Sequence, residues 1–204
     1  MKVALVGASG AVGKPLTREL SSRGHLVTAI STHPEDILDL PGVTALAGDA
    51  NDRETLPQQI SGHDVVISSI QFLKTDHAAL IDSVKASGVP RYFVNGGCGT
   101  LLVPGTTTRL MDTPDFPAPA AGPAIAAAHF FELIQQEAEL DWTFLCPPPG
   151  IGPGERTGVF RVGRDELLTR SDGPPAISLD DYAIAIVDEL ENPSLVRQRF
   201  TVGY

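Results

Sequence analysis

The stretch VALVGASGAVG, residues 3–13, decides the fold of this chain. A short apolar run breaks into three glycines, each three residues after the last, and a helix-compatible segment follows with Pro15 near its first turn. A strand, a glycine turn and a helix in this order direct backbone N–H groups and the positive end of the helix dipole at one point. Glycines without a Cβ let a diphosphate approach these amides. The stretch therefore predicts a dinucleotide site; a glycine-rich turn without a ligand is the alternative.

Composition narrows the class of protein. The 204 residues fit one domain, and 42% are hydrophobic without any run long enough for a membrane span. A formal net charge of −10 without a basic cluster argues against nucleic acid as a partner, although backbone amides can still hold a phosphate. The two cysteines, the absence of metal-ligand spacing and a predicted strand starting at Lys2 favour a metal-free, cytoplasmic protein.

Apolar runs and helical patterns alternate along the chain. Strands are predicted at residues 2–6, 25–30, 43–47, 64–70, 91–95, 142–146 and 200–202, and helices at 11–23, 53–60, 75–87, 124–139 and 180–191. This alternation predicts an α/β fold, a doubly wound and mostly parallel Rossmann sheet with helices on both faces. The domain is predicted to span residues 1–204.

Two segments rich in proline and glycine follow predicted strand ends. Residues 96–123 are predicted to be irregular. Within them, residues 101–123 are predicted to form a lid over the substrate; the alternative is a surface loop that takes no part in the site. Residues 147–154 are predicted to form the opposite wall of the same crevice, within a C-terminal wall region at 147–180.

Polar residues that follow the second and third strands are candidates for the adenosine half of a dinucleotide. Asp49, beside Ala50, is predicted to accept from the adenine amino group; helix capping is the alternative, for which Asp52 is the better candidate. Ser31, Thr32 and His33 stand where an acidic residue would hold the ribose of NAD. Hydroxyls and a histidine without a carboxylate favour NADP, with NAD possible, although ordinary turn polarity explains them nearly as well.

The other candidates follow the central strands. Small residues there are predicted to contact the cofactor, and two polar residues are weaker catalytic candidates. Thr100 would hydrogen-bond a substrate carbonyl and His129 would donate a proton, although structural roles are the commoner explanation for both. The full set of predicted cofactor residues is Gly7, Ser9, Gly10, Ala11, Val12, Gly13, Ser31, Thr32, His33, Asp49, Ala50, Ser68, Ser69, Ile70, Gly96, Gly97 and Pro147.

The chain resembles the NAD(P)H-binding atypical short-chain dehydrogenase/reductases, the group often labelled NADH-flavin reductases, near the biliverdin reductase B and NmrA-like branches. The resemblance covers essentially the whole chain. The motifs that carry it are GASGAVG at 7–13, GD at 48–49, NGGCGT at 95–100, DTPDFP at 112–117, DWTFL at 141–145, GERTG at 154–158, ISLDDY at 177–182 and RQRFTV at 197–202.

The resemblance implies a cytoplasmic NAD(P)H-dependent reductase of a flavin, quinone-like or other conjugated small molecule, with a monomer or a homodimer equally open. The superfamily's Tyr-x-x-x-Lys dyad is missing, because no lysine stands four residues after Tyr92, Tyr182 or Tyr204. CPPP at 146–149 also replaces the more usual SPAA. An NmrA-like sensor of the dinucleotide and a non-redox isomerase or cyclase are therefore the alternatives.

Overall fold

The computed structural model describes residues 1–204, in which strands and helices alternate as the sequence predicts. The strands are β1 (Lys2–Val6), β2 (Leu26–Ser31), β3 (Val43–Ala47), β4 (Val65–Ser68), β5 (Arg91–Asn95), β6 (Asp141–Cys146), β7 (Gly150–Gly152), β8 (Arg161–Gly163), β9 (Ala176–Ser178) and β10 (Gln198–Gly203). The α-helices are α1 (Gly13–Ser22), α2 (Leu56–Ile60), α3 (His77–Ala86), α4 (Ala118–Gln135) and α5 (Leu179–Glu191).

Eight of the strands form one sheet in the order β3-β2-β1-β4-β5-β6-β10-β8. All neighbours in it are parallel except β8, which pairs antiparallel with β10 at the edge. The order reverses between β1 and β4, which lie side by side with Val6 opposite Ser68. This arrangement confirms the predicted Rossmann architecture and places a ligand crevice at the carboxyl ends of these two strands.

Two apolar cores cover the two faces of the sheet. Alternate residues of β1 divide between them, with Val3 and Leu5 in one and Ala4 and Val6 in the other. Helices α1 and α5 pack on the first face, and α2, α3 and α4 on the second. Such burial of both faces explains why the central strands are nearly continuous apolar runs. None of the helices combines the length and the apolar character that crossing a bilayer requires.

Helix α4 begins six residues earlier than predicted. The sequence predicts an irregular segment up to residue 123, but the helix starts at Ala118 and contains Pro123. Proline is tolerated in a first turn because N–H groups there have no partner in the helix; one turn later it removes one hydrogen bond. Ala124, buried against Gly99, holds this turn in place. The predicted lid at 101–123 therefore includes the start of a helix.

The C-terminal wall region contains short strands that the sequence prediction misses. Strands β7 and β9 pair in parallel as a separate small sheet, and β8 joins the main sheet. Asp181 of α5 fastens this region, because its carboxylate accepts from the backbone N–H groups of Thr157 and Gly158 and from the hydroxyls of Thr157 and Tyr204, at 2.6–2.9 Å. Burial alone would raise the pKa of Asp181, but these hydrogen bonds outweigh it and lower the pKa.

Replacing Asp181 with asparagine should destabilise the protein. Each buried hydrogen bond to a charged group contributes roughly 1.5–3 kcal/mol, and such contributions are not fully additive, so we expect Asp181→Asn to lower the free energy of unfolding by about 2–4 kcal/mol near neutral pH. Because the folded pKa lies below the ordinary value of 3.8, the carboxylate's contribution is complete above 3.8 and is lost as the pH falls through the folded pKa. Urea unfolding across this pH range measures both effects.

Asp180→Asn is the matched control. Its carboxylate pairs with Arg18 at 3.2 Å on the surface, and an exposed pair contributes only about 0–1 kcal/mol. Equal losses in the two variants would contradict the proposed role of Asp181.

Candidate functional site

The candidate site lies where the carboxyl ends of β1, β2 and β4 meet. The backbone N–H groups of Gly7 and Ala8 both donate to the carbonyl of Ile30 in β2, at 2.9 and 3.1 Å. On the other side, the Ser69 N–H donates to the carbonyl of Val6 at 2.8 Å. The glycine turn is thus fixed to both neighbouring strands at the point where the strand order reverses.

Gly7 and Gly13 are required by internal packing. Gly7 has a φ of +88°, and a Cβ on it would lie 2.0 Å from the carbonyl oxygen of Ser69. A Cβ on Gly13 would lie 2.3 Å from the carbonyl oxygen of Gly7 and 2.6 Å from that of Ala8. Both glycines let backbone segments pass closer than side chains allow. All three glycines are predicted to admit a diphosphate, but Gly7 and Gly13 are required for a different reason, the close packing of backbone on backbone.

Gly10 is the glycine that faces open space. A Cβ there would meet only the carbonyl oxygen of Gly7, at 3.3 Å, and the residue is exposed. Beside it, no backbone carbonyl accepts from the N–H groups of Ala11 and Val12, which precede α1, or of Gly13, its first residue. The first turn of α1 contains no acidic residue. Free amides at the positive end of a helix, beside an open glycine, are a suitable cradle for a diphosphate.

The structure brings most of the predicted cofactor residues to this one edge of the sheet. Fourteen of them keep exposed or partly exposed surface there: Gly7, Ser9, Gly10, Ala11, Val12, Thr32, His33, Asp49, Ala50, Ser69, Ile70, Gly96, Gly97 and Pro147. Gly13, Ser31 and Ser68 are buried.

Hydroxyls and a histidine follow the end of β2. The Ser9 and Ser31 hydroxyls share a hydrogen bond of 2.6 Å, and the Ser31 Oγ also accepts from the His33 N–H at 2.9 Å. Thr32 and His33 are exposed. The prediction of NADP rests on the assumption that no carboxylate is near, but the Glu35 Oε1 lies 3.4 Å from the His33 Nδ1. That assumption is therefore wrong, because a turn at residues 34–36 brings Glu35 back towards His33.

The turn after β3 places Asp49 at the surface. One carboxylate oxygen of Asp49 accepts from the Asn51 N–H at 2.9 Å, while Asp52 accepts from the N–H groups of Glu54 and Thr55. Asp52 therefore caps the turn that leads into α2, and its bonds lower its pKa, led by that from the Thr55 hydroxyl. Asp49 keeps its other oxygen free of protein partners, so the adenine role remains a prediction.

Ser68 does not face the crevice. It is fully buried, and its hydroxyl bonds the Tyr92 hydroxyl at 2.9 Å inside the core, so the prediction that it contacts the cofactor is corrected. A strand alternates its side chains, which points Ser68 into the sheet face and leaves the next residue, Ser69, at the edge.

A hydrogen-bonded chain below the crevice was missed by the sequence prediction. The Asn95 side-chain amide donates to the Ser69 Oγ at 3.2 Å, and the Tyr182 hydroxyl lies 2.6 Å from the Asn95 Oδ1 and 3.1 Å from the Leu145 carbonyl oxygen. Burial raises the pKa of Tyr182 well above its ordinary value. The chain joins the ends of β4, β5 and β6 to α5. Its one sequence signal is Asn95, a polar residue that ends an apolar strand.

Gly96 and Gly97 follow β5 and are among the predicted cofactor residues. A Cβ on Gly96 would lie 2.1 Å from the Phe144 ring, and one on Gly97 would lie 3.2 Å from the Ala127 Cβ. Gly96 is therefore required by the packing of β5 on β6, whereas a Cβ on Gly97 would make one tight contact with α4.

Thr100 is buried rather than presented to a substrate. Its hydroxyl lies 3.6 Å from the Cys146 Sγ, and its carbonyl accepts from Arg199 at 2.8 Å. The predicted bond to a substrate carbonyl is corrected to a packing role. Both cysteines are free; burial raises the pKa of Cys146 to about 12 and also raises that of Cys98. Neither sulfur is therefore an activated nucleophile.

His129 lies on α4 but on the side away from the glycine loop after β5. Its Nδ1 is 3.1 Å from the Nδ1 of His77, the first residue of α3. Ala127, two residues earlier, faces Gly97, and two residues rotate a helix by roughly 200°. The predicted role as proton donor is therefore corrected to a contact between helices.

Comparison with known proteins agrees with this geometry. A family model described as NAD(P)H-binding matches residues 7–193. The uncharacterised Bacillus subtilis protein YwnB is 36% identical over 211 residues, which cover 99% of this chain and 98% of YwnB. Over 104 residues, 45% of this chain and 34% of the relative, the chain is 32% identical to an isoflavone reductase homologue from Zea mays.

Two solved structures match over nearly their full length. A Bacteroides thetaiotaomicron protein, provisionally described as an epimerase, has a TM-score of 0.94 and 37% identity over 100% of this chain and 96% of that one. A Streptococcus pneumoniae protein, provisionally described as an NADH-flavin reductase, has a TM-score of 0.86 and 32% identity over 100% and 99% of the two chains.

The open position of Gly10 leads to a direct test of the cradle. Gly10→Glu should fold, because its Cβ has one close contact, but it should weaken NADPH binding about 100-fold or more, since a side chain and a negative charge would occupy the diphosphate position. Calorimetric titration measures the affinity and thermal unfolding checks the fold. Gly173→Glu is the control, because Gly173 has nothing within 4 Å of its Cβ position. Unchanged affinity in Gly10→Glu would refute the cradle.

Proposed function

This chain belongs to the NAD(P)H-binding family, and we propose that it is a reductase that passes hydride from NADPH to a flavin, a quinone-like molecule or another conjugated acceptor. The observation that carries the proposal is the set of unpartnered N–H groups at Ala11, Val12 and Gly13 beside the open Gly10, at the reversal of the strand order. The NADH-flavin reductase description of the Streptococcus neighbour and the partial match to an isoflavone reductase homologue support the reaction class.

Different residues would contact different parts of a bound dinucleotide. The amides at the start of α1 would bind the diphosphate, Asp49 the adenine, and Ser9, Ser31, Thr32 and His33 the adenosine ribose. When bound, the nicotinamide supplies hydride from C4; the acceptor takes that hydride and one proton from water. The chain from Ser69 through Asn95 to Tyr182 keeps the floor of the crevice in one geometry, which favours a fixed approach of the two rings.

A conjugated acceptor suits the side chains at the crevice. Tyr182 is fully buried and its hydroxyl is held by Asn95 and Leu145, while Thr100 and His129 are engaged elsewhere. An isolated carbonyl needs a positioned acid to protonate the developing alkoxide. A flavin or quinone delocalises the charge it gains, so water is a sufficient proton source, and we propose that the enzyme works by positioning.

The assignment of NADP over NAD is also a proposal. It is supported by the paired hydroxyls of Ser9 and Ser31 and by the exposed Thr32 and His33, and it is opposed by the Glu35 carboxylate beside His33. A 2′-phosphate on this turn would compete with Glu35 for the imidazole.

Removing the Glu35 carboxylate tests the cofactor assignment. Glu35→Gln should tighten NADPH binding about 3- to 10-fold and leave NADH binding unchanged, since removing one nearby like charge is worth about 1 kcal/mol at an exposed site. Parallel calorimetric titrations with both cofactors measure this. Asp82→Asn, an exposed carboxylate on α3, is the control. An equal effect on both cofactors would assign this turn no role in choosing NADP.

An isomerase or epimerase is the second candidate, favoured by the provisional epimerase description of the Bacteroides neighbour and by the CPPP sequence at 146–149. Such an enzyme would return any bound cofactor unchanged. An NmrA-like sensor would bind the cofactor without turnover.

Steady-state oxidation of NADPH and NADH distinguishes these functions. We expect oxidation that depends on riboflavin, FMN or menadione and is lost in Gly10→Glu. Tight cofactor binding without oxidation by any acceptor would contradict the reductase and favour a sensor or an isomerase. Failure to bind either cofactor would contradict both the reductase and the sensor. It would leave an isomerase that uses the same scaffold without a nicotinamide cofactor.

We further propose that the protein acts on a small molecule in the cytoplasm, as a monomer or a homodimer, without nucleic acid or a membrane. The net charge of −10 and the two free cysteines support these assignments.

A further inference from the structure

The first half of α4 presents an exposed surface without charge. No charged side chain occurs from Ala118 to Phe131, although the helix is partly exposed on one side. Ala118, Gly122 and Ile125 follow the spacing of one helix face, and Ile125 is 60% exposed. Leu73, in the turn after β4, is 63% exposed and its Cδ1 lies 3.8 Å from the Cβ position of Gly122. These four residues form an apolar patch.

The apolar patch lies beside the crevice. The start of α4 packs against the loop after β5, because a Cβ on Gly99 would lie 2.7 Å from the Ala124 Cβ. The turn Phe72–Lys74 follows the carboxyl end of β4. The patch therefore connects the ends of the two strands that follow the strand-order reversal, on the side of the crevice where the acceptor would enter.

The arginines near the acceptor side are already engaged. Residues 96–131 and 147–178 contain no lysine and five arginines, and each arginine has a protein partner. Three form ion pairs: Arg109 with Asp112, Arg156 with Glu19, and Arg170 with Asp172. The other two, Arg161 and Arg164, lie at β8 on the far edge of the sheet and bind carbonyl and amide oxygens.

Lys74 is the cation to be considered at the patch itself. It ends the turn Phe72–Lys74, and no acidic residue pairs with it. Its carbonyl accepts from the Asn51 side-chain amide at 3.0 Å, which fixes the backbone of Lys74 towards the turn after β3, on the adenosine side. The side chain of Lys74 is exposed and follows Leu73 in the chain, so Lys74 is an unpaired cation at the edge of the patch, while the four residues of the patch itself are apolar.

We infer that the acceptor is an uncharged conjugated molecule, such as riboflavin or a simple quinone, and that the patch formed by Leu73, Ala118, Gly122 and Ile125 selects it over phosphorylated flavins. This inference rests on the proposed function. An apolar ring gains from burial against such a surface, whereas a phosphate placed over these four residues would lose water and find no cation except Lys74 at the edge.

Equilibrium binding to the cofactor-loaded protein tests the inference without requiring turnover. Quenching of flavin fluorescence, with NADP⁺ present, measures the affinities of riboflavin and FMN. We expect riboflavin to bind about tenfold more tightly or better. Ile125→Arg should reverse the order by adding a cation to the patch. Val162→Arg makes the same change at a residue 59% exposed on β8 and should keep the wild-type preference.

Each outcome has a defined meaning. Tighter binding of FMN by the wild type, particularly if Lys74→Gln abolishes it, would overturn the inference, as would binding of neither flavin or an unchanged preference in Ile125→Arg. Riboflavin preference without any oxidation of NADPH would keep the selective surface and contradict the reductase. The two claims therefore fail separately.

Discussion

The contact between Gly7 and the Ser69 carbonyl is the constraint on which the rest of the site depends. With the Cβ position at Gly7 only 2.0 Å from that oxygen, no other residue allows β1 and β4 to end side by side. Gly13 makes the same close approach to the carbonyls of Gly7 and Ala8, which brings the start of α1 over the turn. Because these two contacts are made by backbone, the N–H groups of Ala11 and Val12 are held in place before any ligand arrives.

The three glycines of the motif therefore have two different roles. Two of its glycines let the protein pack against itself, and Gly10 alone keeps space at the cradle. Preorganised amides avoid the entropic cost of ordering a loop upon binding. The chain from Ser69 through Asn95 to Tyr182 extends the same rigidity across the floor of the crevice. A rigid floor of this kind is what the proposed placement of two rings would require.

Charged residues with structural roles hold the segments on either side of the crevice in place. Asp181 fastens the segment around Thr157 to Tyr204, and Arg199 joins the Thr100 carbonyl to Asp165 while its guanidinium lies 4.9 Å from the centre of the Phe131 ring. With these charges engaged, the surface at the start of α4 is left apolar. Sequence patterns could not indicate this, because pairing depends on partners far apart in the chain, 99 residues for Arg199 and Thr100 and 137 for Arg156 and Glu19.

The sequence by itself determined the Rossmann fold class, the alternation of strands and helices, and the glycine turn after the first strand, because these follow from local periodicity and from residues that lack a Cβ. It could not determine that Ser68 faces the core, that Thr100 and His129 are engaged elsewhere, or that Pro123 continues a helix. Each of these outcomes depends on which segment lies opposite: Tyr92, Cys146, His77 and Gly99. Tertiary packing decided them, since burial and hydrogen bonding between distant residues outweigh local preference.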